Sequence, residues 1–121
     1  MSSIIYLTDV ASEKGSYPIG LSITGFEKEA VTPNTVNWRL TDKSEEKNII
    51  NNRSNESATP AAVTWIILQA DDLVKTGPNA KRRITFKGTF NSEIDGVPKL
   101  NNDYTVEGEF SVEDLQNIPF P

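Results

Sequence analysis

The 121-residue sequence contains no cysteine, no histidine, one methionine and no long apolar run. Each absence removes a kind of chemistry. Without cysteine there is no disulfide framework, thiolate nucleophile or cysteine-ligated metal. Without histidine there is no Ser-His-Asp triad, no histidine-ligated zinc and no imidazole acid–base catalyst near neutral pH. No segment approaches the ~20 apolar residues of a membrane-spanning helix. The opening MSSIIYLTDV lacks the basic region and apolar length of a secretory signal. Positive charge is also scarce: the net charge is −5, so the overall field repels phosphate backbones and anionic membranes. The only basic cluster, Lys81-Arg82-Arg83, reads as the solvated entry to a strand. These features predict a non-enzymatic chain made in the cytoplasm, with no cofactor and no nucleic-acid or membrane partner.

What is present is a series of short alternating blocks separated by turn residues, without a helical period. Ile4 to Val10 reads as the first strand, closed by the polar turn Ser12 to Ser16. Tyr17, Ile19, Leu21 and Ile23 alternate with Pro18, Gly20, Ser22 and Thr24, the pattern of a half-buried strand with Pro18 near its start. A charged turn at Glu27-Lys28-Glu29 and a break at Thr32-Pro33-Asn34 lead to Val36, Trp38 and Leu40 on one face. Thr41 to Ser44 is a turn, Asn48 to Asn51 a short marginal strand, and Asn51 to Pro60 an aperiodic surface loop. Val63 to Leu68 is an apolar strand. Arg83 to Phe90 turns Ile84, Phe86 and Phe90 inward, and the last strand does the same with Tyr104, Val106, Phe110 and Val112. The predicted fold is all-β: an immunoglobulin-like antiparallel β-sandwich of about seven strands. Residues 1–116 form one domain and 117–121 a C-terminal tail. Gly88 and Gly108, both at inward parity, are expected to make room for Trp38 from the opposite sheet. Lys87 is expected to face a glutamate of the last strand.

Candidate sites are few. Trp38, Trp65, Leu73, Phe86 and Phe110 are assigned to the core by parity, although VTWIIL is apolar on both faces. If Trp65 faces outward, Ile66 and Leu68 replace it. Asp71-Asp72-Leu73 reads as an aspartate-capped turn where the chain crosses between sheets, with Leu73 plugging the core. The alternative is calcium, with Asp71 or Asp72 joined by Asp95, Asn102 or Asp103, but calcium needs six or more converging oxygens and no EF-hand spacing exists. The carboxylate pairs Glu27/Glu29 and Glu107/Glu109 read as solvated charges. The segment Asn91 to Asp103 is the main interaction candidate. Asp95-Gly96 is a tight-turn signal, which makes it a plain hairpin; Ile94, Val97 and Leu100 make it equally a protruding docking loop. Phe120 in the tail is a weaker docking candidate.

The order VTPNTVNWRLTD, NIINNR, Thr-Pro-Ala, VTWIILQADDL resembles small immunoglobulin-like proteins encoded among bacteriophage and prophage virion genes. Those run Val-Thr-Trp-x-Leu-Thr-Asp, then Ile-Asn-x-Arg, then Thr-Pro-Ala, an aliphatic strand and Asp-Asp-Leu. RRITFKGTFNSEIDGVPKLNNDYTVEGEFSV is similar to their final hairpin, so the likeness spans Val31 to Val112. Asn37 stands where the pattern has threonine, and the polar segments after Asp42 and around Asn52 are longer. The resemblance implies a virion structural or assembly component: a head, neck or tail accessory or decoration protein. It admits two kinds of partner: other virion proteins and a second copy of itself as a homo-oligomer. The alternative is an adhesion or carbohydrate-binding module, which requires an exposed aromatic platform.

Overall fold

The computed structural model describes residues 2–7, 10–12, 15–42, 48–74 and 81–113. They form two facing sheets from nine strands: β1 (Ser2–Tyr6), β2 (Val10–Ser12), β3 (Tyr17–Thr24), β4 (Ala30–Val31), β5 (Val36–Asp42), β6 (Glu56–Ala58), β7 (Thr64–Leu68), β8 (Lys81–Ile94) and β9 (Val97–Glu113). In the first sheet β1, β4 and β7 all pair with β3. The second runs β2-β9-β8-β5-β6. All pairings are antiparallel except that of β2, which lies parallel to β9. A 3-10 turn, Ala70–Leu73, carries the chain from one sheet to the other between β7 and β8. No helix among the described residues is long and apolar enough to cross a membrane.

The core follows the alternation of the sequence. Tyr17, Ile19, Leu21 and Ile23 of β3 are buried against Val36, Trp38 and Leu40 of β5, Ile84, Phe86 and Phe90 of β8, and Tyr104, Phe110 and Val112 of β9. Each large side chain so buried contributes about 1.5–3 kcal/mol from the removal of apolar surface from water. Leu73 plugs this core as expected and is fully buried.

Several expectations are corrected. The first strand is divided between the sheets: β1 pairs with β3, and β2 pairs with β9. Asn48 to Asn51 supplies only an isolated bridge, Ile49 to Thr41. The supposed loop Asn51 to Pro60 contains edge strand β6. Trp65 is 56% exposed, not buried, because the register with β3 sets Thr64, Ile66 and Leu68 inward. Its cross-strand partner is Gly20, where a methyl group would meet the Trp65 ring at 2.8 Å. The ring therefore covers a glycine on the outer face.

Gly88 and Gly108 do not make room for Trp38, which sits in their own sheet opposite Phe86. A side-chain carbon at Gly88 would collide with the Thr35 carbonyl, and one at Gly108 would press on Ile5 and Leu7 of the facing layer. Lys87 faces Thr105 rather than a glutamate. Arg82 is not solvated but 0% exposed, continuing the inward row of Ile84 and Phe86. Its guanidinium donates to the Val74 carbonyl. Burial holds the Arg82 pKa below its ordinary value, and the charge of Asp42, directly opposite on β5, opposes that shift.

Candidate interaction surfaces

The long β8–β9 hairpin resolves both readings of Asn91 to Asp103 together: it is a regular hairpin, and it exposes its apolar residues. Asp95 and Gly96 form the two-residue turn with φ of 51° and 79°, the left-handed pair that matches strand twist. Ile94, Val97 and Leu100 are 43%, 53% and 64% exposed. At the base of the arm a bulge sets Asn91 against Leu100 and Asn101. Asn101 takes φ of 56°, and both its N–H and the Asn34 side chain donate to Asn91 Oδ1 at 2.8 Å. Bulges bend and twist a strand pair, so this cluster aims the arm.

The arm is braced from the side by the β3–β4 turn. The Ser92 hydroxyl donates to Glu29 and accepts from the Phe26 N–H at 2.9 Å. Glu27 accepts the Asp95 N–H at the tip. Phe26 packs on Phe90 with ring centroids 5.4 Å apart. The hydrogen bond from Ser92, joined by backbone N–H groups, holds the Glu29 carboxyl below its usual pKa. Glu27 and Glu29, expected to be merely solvated, are thus the clamp that fixes the hairpin.

The aspartates expected as calcium alternatives do not converge. Asp72 is fully buried and accepts from Arg53 Nε at 2.9 Å, Asn51 Nδ2 at 2.8 Å and the Gln69 N–H at 2.8 Å. Burial pushes its carboxyl up, but these donors more than offset that and leave it below the ordinary carboxylate range. Asp71 is exposed beside it, Asp95 lies at the hairpin tip and Asp103 on β9. Among the described residues no group of three or more acidic side chains is placed to hold a metal ion. Phe120 and the 117–121 tail lie outside the described residues.

Two further surfaces stand apart from the arm: an exposed Trp65, which the sequence offers as the alternative to burial, and a pocket that it does not indicate. On the outer face of the first sheet, Trp65 and Ile67 (57% exposed) lie side by side with Pro18 and Gly20 of β3. On the outer face of the second, a depression of about 220 Å³ is lined by Trp38, the cations Arg39 and Lys87, the hydroxyl-bearing Ser54, Thr85 and Thr105, and Asn55. Thr85 is only 7% exposed and its Oγ1 has no protein hydrogen-bond partner. An unpaired buried hydroxyl costs about 1–3 kcal/mol. Glu107 and Glu109 lie at the neighbouring positions of β9 and are taken up by Arg83, at 3.8 and 2.9 Å. No local motif announces this pocket, since its residues come from β5, β8, β9 and the approach to β6.

No protein-family model, curated protein or solved structure matches the chain.

Proposed function

We propose that this chain is an immunoglobulin-like domain acting as a non-enzymatic structural or assembly module of a phage-like particle, through protein–protein contacts of its β8–β9 arm. The sheet order, the first strand shared between sheets and the 3-10 crossing before β8 support the fold reading. The observation that carries the functional reading is the arm itself. It holds Ile94, Val97 and Leu100 out to solvent on a hairpin fixed by a bulge and a side brace. An apolar surface already ordered before contact loses less conformational entropy on docking. The partners would be other virion proteins or further copies of the chain, met after synthesis in the cytoplasm. The test is mass spectrometry of particles purified from a producing host, with wild type compared to a triple Ile94→Ser, Val97→Ser, Leu100→Ser variant. The expected result is wild-type chain in the particle, and a variant that folds with an unchanged melting midpoint but is not incorporated. Absence of the wild-type chain from particles, or full incorporation of the variant, defeats the proposal.

One observation favours a second reading, an adhesion or carbohydrate-binding module. The Trp65 ring covers Gly20 on the outer face of its sheet and the residue is 56% exposed, an aromatic surface of the kind that sugar stacking uses. Titration with neutral oligosaccharides, followed by Trp65 fluorescence, separates the two. Saturable quenching lost in Trp65→Ala supports the second reading; no change removes it.

A further inference from the structure

The pocket on the outer face of the second sheet is a second site, independent of the arm. Apart from Trp38, its lining is polar or cationic. Arg39 and Lys87 stand at its margin, and neither makes an ion pair among the described residues, whereas the nearby Glu107 and Glu109 are held by Arg83. Asn55 commits its oxygen to Asn37 Nδ2 at 3.0 Å, which leaves its NH2 group to donate. Thr85, 93% buried from its 7% exposure and unpartnered at Oγ1, is the deepest polar group, flanked by the hydroxyl of Thr105. No carboxylate lines the pocket among the described residues.

Two cations and several hydrogen-bond donors around a buried, unpaired hydroxyl match a group that is anionic and rich in acceptors. At about 220 Å³ the space is below the ~300–1,000 Å³ of pockets for drug-sized ligands, so the occupant is small. We infer that this pocket binds a small oxyanion-bearing ligand, a carboxylate or phosphate compound no larger than a monosaccharide. Arg39 and Lys87 neutralise the oxyanion. Thr85 and Asn55 donate to it, and Ser54 and Thr105 are placed for hydroxyls carried on the same ligand.

The experiment is a ¹H–¹⁵N titration of the full chain at low ionic strength with acetate, glucuronate, inorganic phosphate and, as a control, sodium chloride. Saturable shifts of the amides of residues 54, 55, 85, 87 and 105 are expected from at least one of the three oxyanions and not from chloride. Tighter binding of glucuronate than acetate identifies a sugar carboxylate, and tightest binding of phosphate a phosphate compound. Lys87→Ala should weaken binding roughly tenfold, the loss of one charge-assisted contact. Thr85→Val removes the unpaired hydroxyl, so it should melt at or above the wild-type temperature while binding several-fold more weakly. Shifts that do not saturate, that chloride reproduces, or that persist unchanged in both folded variants would overturn the inference.

Discussion

Replacing Asp72 with alanine tests how the end of the sandwich is joined. Asp72 connects three stretches of chain: the Asn51–Arg53 segment, the start of the 3-10 turn at Gln69, and through Arg53 the core ring of Trp38, 5.4 Å from the guanidinium. Removing one partner of a buried ion pair costs about 3–5 kcal/mol. Arg53 keeps Glu56 at 3.1 Å and its side chain is 29% exposed, so solvent and the second carboxylate relieve part of the loss. The lower end of the range, ~3 kcal/mol, is the expected cost. With a urea slope of about 1.5 kcal/mol/M the midpoint should fall by ~2 M, read by tryptophan fluorescence. The sign of the pH dependence follows from the direction of the shift. The folded-state pKa of Asp72 is depressed, so its contribution is complete above the unfolded value of about 3.9 and is lost as pH falls through the folded value. The gap between wild type and Asp72→Ala should therefore be flat above about pH 5 and close below it. A midpoint change under roughly 0.5 M at unchanged slope, or a gap that does not close in acid, refutes the reasoning.

Gly88→Ala should be among the most damaging single methyl additions, costing about 3 kcal/mol or more, because the new carbon collides with the rigid Thr35 carbonyl. Gly20→Ala meets only the movable Trp65 ring and should cost less than about 1 kcal/mol; comparable melting shifts for the two would contradict this. The tryptophans should separate in iodide quenching into an accessible Trp65 and a protected Trp38, with Trp38→Ala alone costing ~3–5 kcal/mol; a single uniform population would place Trp65 wrongly. Tyr104 donates to the Thr35 carbonyl at 2.8 Å, and burial pushes its pKa up to about 12. Its stabilising contribution is present below its unfolded pKa near 10 and is lost as pH rises through the folded value, so Tyr104→Phe should flatten the alkaline end of the stability profile.

The inward rows of β3, β5, β8 and β9 were readable because strict alternation survives in each of them. Trp65 was not, because a strand apolar on both faces carries no parity signal; only pairing with Gly20, distant in sequence, decides its side. Arg82 was misread for a related reason. Charge argues for solvent, but its position two residues before Ile84 on a continuous strand commits it to the core side. The exposure of Ile94, Val97 and Leu100 was legible from the turn and the spacing. The brace by Glu27 and Glu29 was not, since it joins residues more than sixty positions apart. The pocket below Arg39 and Lys87 left no trace in any one segment, because three strands and a loop contribute one or two residues each.

The parallel rung of β2 on β9 gives the domain a direction of mechanical strength. Tension transmitted between the chain ahead of Val10 and the end of β9 pulls these strands in opposite senses along a common axis. The pairs Val10–Ser111, Ala11–Val112 and Ser12–Glu113 are then loaded in shear, all at once, rather than peeled apart one after another. Stretching the domain by its ends thus works against a block of hydrogen bonds backed by buried Ala11 and Val112. Pulling instead at the β8–β9 tip would unzip its ladder pair by pair from Ile94 and Val97. The same fold should therefore resist load along its length and yield at its arm.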